Sequence, residues 1–392
     1  MNATASSSFL QRINWVTTLF LLLTPLVGLI WGALHIYAMG VGASELAVFF
    51  FYVCATGFSI TTGYHRLFAH GSYECSRIVK LFYLLFGAAA FQHSVLSWCS
   101  DHRRHHKHLD HDDDPYSITR GFFWAHIGWL LVTDHKRAED FSNIPDLVAD
   151  PWIRWQHDHY MKIAVFMGFV VPFALGLMLG HPWGFVLWAG VFRVVIVHHS
   201  TFLVNSLAHR IGRRPYLRAI SARDSIVTAF LTFGEGYHNF HHRFATDYRN
   251  GVGRAAWDPT KWLIRGLEAV GLAWDLRRVP TDSIVAAELD CDSERLSERI
   301  TRYRGHSEQT LAHLRERFAE MAASVQRAAA ALSVRERELA MARKQWGRDR
   351  ADQLRGMRVE LRAARLEMRA ARVRWRAVVE ELLNGGVALP TT

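Results

Sequence analysis

Cysteine is scarce in this chain of 392 residues: Cys54, Cys75, Cys99 and Cys291 are scattered and no C-x-x-C pair exists. That argues against an iron–sulfur cluster or a structural zinc knot and leaves four reduced thiols, with Cys54 expected in lipid or in the protein core. No H-E-x-x-H zinc-protease motif occurs, no Gly-rich dinucleotide fingerprint, and no His-Pro-Gly-Gly haem motif. His181-Pro-Trp-Gly184 resembles the last only superficially and is expected to be a turn. Charge is low, at 21 % of residues, and its +10 excess is unevenly placed. From Cys291 onward there are 21 Lys+Arg against 14 Asp+Glu, which leaves only +3 on the first 290 residues. A nucleic-acid partner is therefore not expected. Proline is missing between Asp292 and Leu383.

Long apolar runs are abundant. A membrane-spanning helix needs roughly 20 apolar residues, and four segments qualify: about 15–35, 45–64, 160–179 and 183–203. The charge-free stretch from Ile13 to Ser44 is too long for the apolar region of a signal peptide and lacks a small-residue cleavage site. The loops joining the first pair and the second pair contain no Lys or Arg, whereas 65–159 and everything after His209 are rich in both. The positive-inside rule then puts both termini in the cytoplasm. A fifth run, 78–96, is expected to lie at the interface, because a fifth crossing would separate histidines that belong together. Arg193, near the middle of the fourth segment, should face protein or water rather than lipid.

Histidine is the chemistry-bearing residue. Three clusters stand just outside the apolar runs: His65 with His70, His102 with His105 and His106, and His238 with His241 and His242; His209 stands alone in Asn205-Ser-Leu-Ala-His209. Imidazole binds iron, copper, nickel and zinc, and nine donors exceed the needs of one ion. On a helix, residues four apart lie about 40° apart around the axis and adjacent ones 100°. His102 and His106 therefore share a stripe while His105 points aside, and His238 and His242 share one while His241 points aside. Two neighbouring ions could each take the pair from one triplet and the odd member from the other. His65 and His70, five apart, converge only if the helix ends or bulges. So many imidazoles exceed the four ligands of a usual zinc site, so iron with an open position is the better fit. The isolated His35, His93, His126, His157, His159, His181, His306 and His313, together with His198 and His199, are expected to be structural.

These boxes resemble the membrane fatty-acid desaturases, in particular the delta-9 acyl-CoA (stearoyl-type) branch, over roughly residues 15–262. The motifs that carry the resemblance are Thr62-Gly-Tyr-His65-Arg-Leu-Phe-Ala-His70, Asp101-His102-Arg-Arg-His105-His106-Lys, Asp113-Asp114-Pro115-Tyr116 and Gly121-Phe-Phe-Trp-Ala-His126-Ile-Gly-Trp-Leu-Leu131. They continue with Val204-Asn205-Ser-Leu-Ala-His209, Gly234-Glu-Gly-Tyr-His238-Asn-Phe-His241-His242 and Asp247-Tyr-Arg-Asn-Gly251. The resemblance implies one iron held by His65, His70, His102, His106 and His241, and a second held by His105, His209, His238 and His242 with Asn205 contacting it through water. It implies an all-α membrane protein: four transmembrane helices in two hairpins, with a cytosolic helical cap holding a histidine-rich dimetal site. The implied reaction is the O2-dependent removal of two hydrogens from an acyl chain bound as a CoA thioester, with electrons from a separate ferredoxin- or flavin-type donor. Asp101 and Phe202 are candidates for touching the substrate. The chain departs from the animal enzymes in having Ser100-Asp101 before the second box, and Thr133-Asp134 where a basic pair is usual, with Lys136-Arg137 two places later. A phospholipid- or carrier-bound acyl chain thus stays open as substrate. Rival readings are a sister hydroxylase with similar boxes and, outside catalysis, a metal-transporting or metal-storing membrane protein. The expected setting is a bacterial inner membrane.

The domain boundary falls near 280, with the membrane domain at 1–280 and a helical, Arg-rich extension at 281–392. Apolar residues recur there at heptad-like spacing: Leu314, Phe318, Met321, Val325, Ala328, Leu332, then Leu354, Met357, Leu361, Ala364, Met368, Ala371, Trp375, with a phase slip near Gly347. Two helices are expected, as an antiparallel hairpin or an intermolecular coiled coil that lets the chain self-associate. A solvated helix without a partner, or one adhering to anionic lipid headgroups, are the alternatives.

Overall fold

The computed structural model describes residues 12–132, 140–253, 255–302, 308–346 and 351–384. They form two compact units, one of residues up to 213 with 219–278, the other of 214–218 with 279 onward. In the first unit four helices are long and apolar enough to cross a membrane: Trp15–Met39, Ala43–Ala69, Tyr160–Leu179 and Pro182–His209. The chain is an all-α membrane protein apart from short pairings such as Glu74–Cys75 with Ala273–Trp274.

The tight hairpins have local causes. The first span starts where Asn14 accepts a hydrogen bond from the Thr17 amide (3.1 Å) and stops at Gly40, whose φ of 73° suits glycine. The Glu45 carboxylate then accepts from the Gly42 amide at 2.7 Å and lies 3.2 Å from His35, tying the loop to both spans. The third span ends at Gly180 (φ 84°), and Pro182 opens the fourth.

The apolar run 78–96 does not form the single helix the sequence suggests. Helix Arg77–Ala89 ends, and a second helix, Val95–His108, starts afresh with Ser94 as its cap. Between them Phe91 (φ 56°) and His93 (φ 72°) adopt left-handed backbone, a conformation that costs non-glycine residues energy and needs outside support. The fourth span supplies it. Arg193, fully buried, donates to the carbonyls of Ala89 and Gly168 (3.3 Å for the latter), and His198 Nε2 donates to those of Ala90 (2.8 Å) and Phe91 (3.1 Å). The intramembrane arginine faces protein, as expected, and its task is to satisfy carbonyls at a helix break.

Among the described residues the second unit contains a long helix, Thr281–Arg302, followed by the two expected from the heptads, Glu308–Trp346 and Ala351–Asn384. All three contribute to one core, with Val285, Leu289 and Leu296 from the first, Val325, Leu332 and Leu339 from the second, and Leu354, Leu361, Met368 and Trp375 from the third. The first helix escapes the sequence reading because its apolar positions are few. The pairs Glu336–Arg365 (3.2 Å) and Phe318–Trp375 (ring centroids 4.3 Å) make the last two helices antiparallel. The heptad positions read from the sequence thus face each other within one chain, and Gly347 and the Leu314 side chain lie outside the described residues.

Candidate metal centre

The second span brings the first histidine pair together by changing its winding. From Ser59 to Ala69 the helix is a π-helix, and the His70 amide bonds to the His65 carbonyl five residues back (3.2 Å). The wider turn stacks residues five apart, a device common at functional sites. His65 and His70 end with ring centroids 4.9 Å apart.

Helix Val95–His108 carries the second cluster and the short helix His238–Arg243 the third. The latter is anchored by Asp224, whose Oδ1 accepts from the amides of Asn239 (2.8 Å) and Phe240 (3.1 Å). Burial pushes that carboxyl up to about 7. His209 closes the fourth span.

Each side chain offers one nitrogen to one of two groups. His65, His70, His102, His106 and His241 form the first, and His105, His209, His238 and His242 the second; within each group the donor atoms lie within 4.8 Å of one another. The groups adjoin, since the His106 and His242 rings stack at 4.2 Å. The closest Nε2···Nε2 separations are 3.0 Å for His65–His241, 2.8 Å for His70–His102, 3.0 Å for His106–His241 and 3.0 Å for His238–His242. Metal–imidazole bonds of about 2.0–2.1 Å would set ligands at right angles about 3.0 Å apart. The His209 Nε2 is buried without a hydrogen-bond partner, a costly state unless something else satisfies it. The donor set therefore fits a pair of metal ions.

Protonation favours the same outcome. Burial, reinforced by repulsion from neighbouring imidazoles, holds His70, His102, His106, His238, His241 and His242 well below the ordinary histidine value. Neutral imidazole is the form that binds metal.

Behind the donors stands a layer that sequence reading did not single out residue by residue. His65 Nδ1 lies 2.9 Å from Glu235, whose other oxygen accepts from Arg66 at 2.9 Å. Arg66 also pairs with Asp258 (3.0 Å) and donates to the Tyr248 carbonyl (2.6 Å). His105 Nδ1 lies 2.8 Å from Asp114, and His209 Nδ1 lies 2.7 Å from the Ser221 hydroxyl, which donates to Asp110 at 2.5 Å. Carboxylates behind histidines fix the tautomer and ring plane. Glu235 and Asp114 stand inside motifs quoted above, but spacing along the chain does not show which imidazole each would meet. Trp98 stacks on His102 at 4.9 Å.

A cavity of about 350 Å³ reaches both groups, touching His65, His102, His105 and His238. Phe20, Ile60 and Val197 are among its apolar walls, and Asp101, Phe202 and Asn205 all line it. Asp101 also pairs with Arg104 at 3.7 Å. The basic pair Lys136-Arg137 and Thr133-Asp134 lie outside the described residues. Several of the solitary histidines have partners of their own: His126 lies 3.1 Å from His199 and 2.9 Å from Ser206, His157 lies 2.7 Å from Ser94, and His35 meets Glu45. His306 and the His313 side chain lie outside the described residues.

The fatty acid desaturase family model matches residues 43–257. A probable acyl-CoA desaturase of Schizosaccharomyces pombe is 39 % identical over 275 residues, covering 70 % of this chain and 57 % of the relative. The Delta(9)-fatty-acid desaturase fat-6 of Caenorhabditis elegans is 36 % identical over 247 residues, covering 61 % of this chain and 73 % of the relative. Stearoyl-CoA desaturase 5 of Homo sapiens is 35 % identical over 286 residues, covering 70 % and 84 %. The chain belongs to the fatty acid desaturase family. It spans just over half the length of the Schizosaccharomyces pombe relative and of acyl-CoA desaturase 1 of Saccharomyces cerevisiae.

Proposed function

We propose that this chain is an O2-dependent desaturase that introduces a cis double bond at the delta-9 position of a saturated acyl chain carried on coenzyme A. The observation that supports it most is the cavity, apolar along its walls and ending on imidazoles of both groups. Such a shape suits a long alkyl chain whose interior methylenes must be presented at a reactive end. Asp101 and Phe202 contact the chain. Glu235, Asp114 and Ser221 fix the tautomer and ring plane of the imidazoles they meet, and the packed walls exclude water.

Two iron ions would occupy the centre, one held by His65, His70, His102, His106 and His241, the other by His105, His209, His238 and His242 with Asn205 beside it. When bound they supply the oxidising power to remove hydrogen from an unactivated methylene pair, which no side-chain acid or base can do. Electrons come from a separate ferredoxin- or flavin-type donor. Residues 1–280 form the catalytic module and 281–392 an accessory one. Both termini and the centre face the cytoplasm, in a bacterial inner membrane; the absence of Lys and Arg from the two hairpin loops supports that orientation.

The test is expression in a host that makes no unsaturated fatty acids, with a competent reductase present, followed by double-bond mapping. A delta-9 olefin is expected. No new olefin refutes the reading, and an alcohol at the same carbons would transfer it to the hydroxylases. Feeding acyl-CoA, phospholipid and carrier-bound chains to the purified enzyme separates the head groups.

A further inference from the structure

The last helix, Ala351–Asn384, has two apolar faces, and the fold uses one. Leu354, Leu361, Met368 and Trp375 are buried in the three-helix core. On the other side Gly356, Val359, Ala363, Leu366, Ala370, Val373 and Ala377 recur at alternating spacings of three and four, and all are exposed. Val359, Leu366 and Val373 remain 59, 65 and 67 % exposed. That is three heptads of a seam, about 33 Å long at 1.5 Å per residue. Bulky aliphatics at every seventh residue of a helix that already has a core need a second explanation.

We propose that this outer seam pairs in parallel with the same helix of a second copy of the chain. Charge selects both the partner and its direction. With the small residues Gly356, Ala363, Ala370 and Ala377 in the a positions and Val359, Leu366 and Val373 in d, one flank carries Arg355, Arg362, Arg369 and Arg376, and the other carries Glu360, Glu367 and Arg374. In a parallel pair each residue of the first flank meets the residue five places on in the partner. Arg355 then faces Glu360 and Arg362 faces Glu367, twice over by symmetry; only Arg369 meets a like charge, Arg374. In an antiparallel pair the four arginines of one copy would face those of the other. Arg362, Glu367 and Arg369 make no ion pair with the described residues, whereas Arg365 is already committed inward to Glu336, and Glu360, which the partner's Arg355 would share, lies 3.2 Å from Arg335. A helix lying on an anionic membrane would be better served by bulky residues in the seam and basic residues along both flanks. This one has glycine and alanine in a and Glu360 and Glu367 along one flank. Anchoring in a common bilayer raises the effective concentration of the two tails.

The test uses the full-length protein in nanodiscs of neutral lipid, with particle mass measured by light scattering. Two chains per particle are expected. Val359→Glu with Leu366→Glu should reduce this to one while bound metal and helix content stay unchanged, since these side chains touch neither core. Arg362→Glu alone and Glu367→Arg alone should each weaken pairing at least tenfold, and the double swap should restore it. Arg374→Glu, which removes the like-charge contact, should tighten it. A wild-type monomer overturns the proposal, as does a dimer that survives the Val359/Leu366 change. Pairing strengthened by Arg362→Glu would indicate antiparallel helices and also overturn it. A monomer whose residues 351–384 gain hydrogen-exchange protection only with anionic lipid would make the seam a headgroup-binding surface instead.

Discussion

The two units are held together by opposite means. In the membrane unit the decisive contacts join residues far apart in sequence and bury polar groups: Arg66 with Glu235 and Asp258, Arg193 with carbonyls of two other segments, and nine imidazoles from four segments. In the tail a heptad repeat packs Leu on Leu, and the ion pairs among its described residues lie mostly toward the solvent. The first arrangement is costly if any partner is missing, because a buried charge or donor is then left alone. The second degrades gradually. The difference shows where specificity is required: reactive ions need fixed donors, whereas a helical bundle needs only a continuous apolar seam.

The largest expected effect falls on the donors. His105→Ala or His241→Ala should abolish turnover, and each should lower the metal-to-protein ratio measured by elemental analysis. Full activity in either variant would break the division of the triplets between two groups. Truncation after Arg278 should by contrast leave bound metal and some desaturation, and complete loss of metal would show that the units are not as separable as their cores.

Next come the buried supports. Glu235→Ala removes one of the two carboxylates that Arg66 pairs with, leaving Asp258, and frees the His65 ring. A broken buried pair of this kind costs about 3–5 kcal/mol, visible as a lowered thermal midpoint together with lower metal occupancy. Leu361→Ala in the tail core should cost about 2–5 kcal/mol and leave metal occupancy alone. Equal metal loss in both variants would erase the contrast.

Acidity acts on the same contrast through the histidines. In metal-free protein the buried imidazoles of His70, His102, His106, His238, His241 and His242 have folded-state values well below the ordinary one. The unfolded chain therefore takes up protons first as pH falls, near 6.5. Their contribution to stability is complete above that pH and drains away below it. Thermal unfolding of the metal-free protein across this range should show the loss, and bound metal should delay it. A flat profile would contradict the burial of neutral rings. The smallest effect belongs to Arg365→Ala, whose partly exposed pair with Glu336 should contribute less than about 1 kcal/mol to tail unfolding.

Legibility in the sequence follows the same division. The four spans are legible because crossing a bilayer imposes a length and a composition on each separately. The grouping of His102 with His106, apart from His105, follows from helical periodicity. The convergence of His65 and His70 does not, because it needs a π-turn whose cost only the surroundings can meet. Nor is the break at Phe91–His93 visible, since its supports, Arg193 and His198, lie about a hundred residues away. Glu235 and Asp114 can be seen as acids but not as the partners of His65 and His105.

The sequence alone determined the membrane spans, the nitrogen-rich chemistry and the helical tail, because each rests on a local period or on the choice of residue type. Tertiary structure decided which pair of one triplet joins which outlying histidines, which carboxylate orients which ring, and which seam of the last helix is covered by its own chain. Those outcomes depend on contacts between distant segments, and no local pattern encodes them.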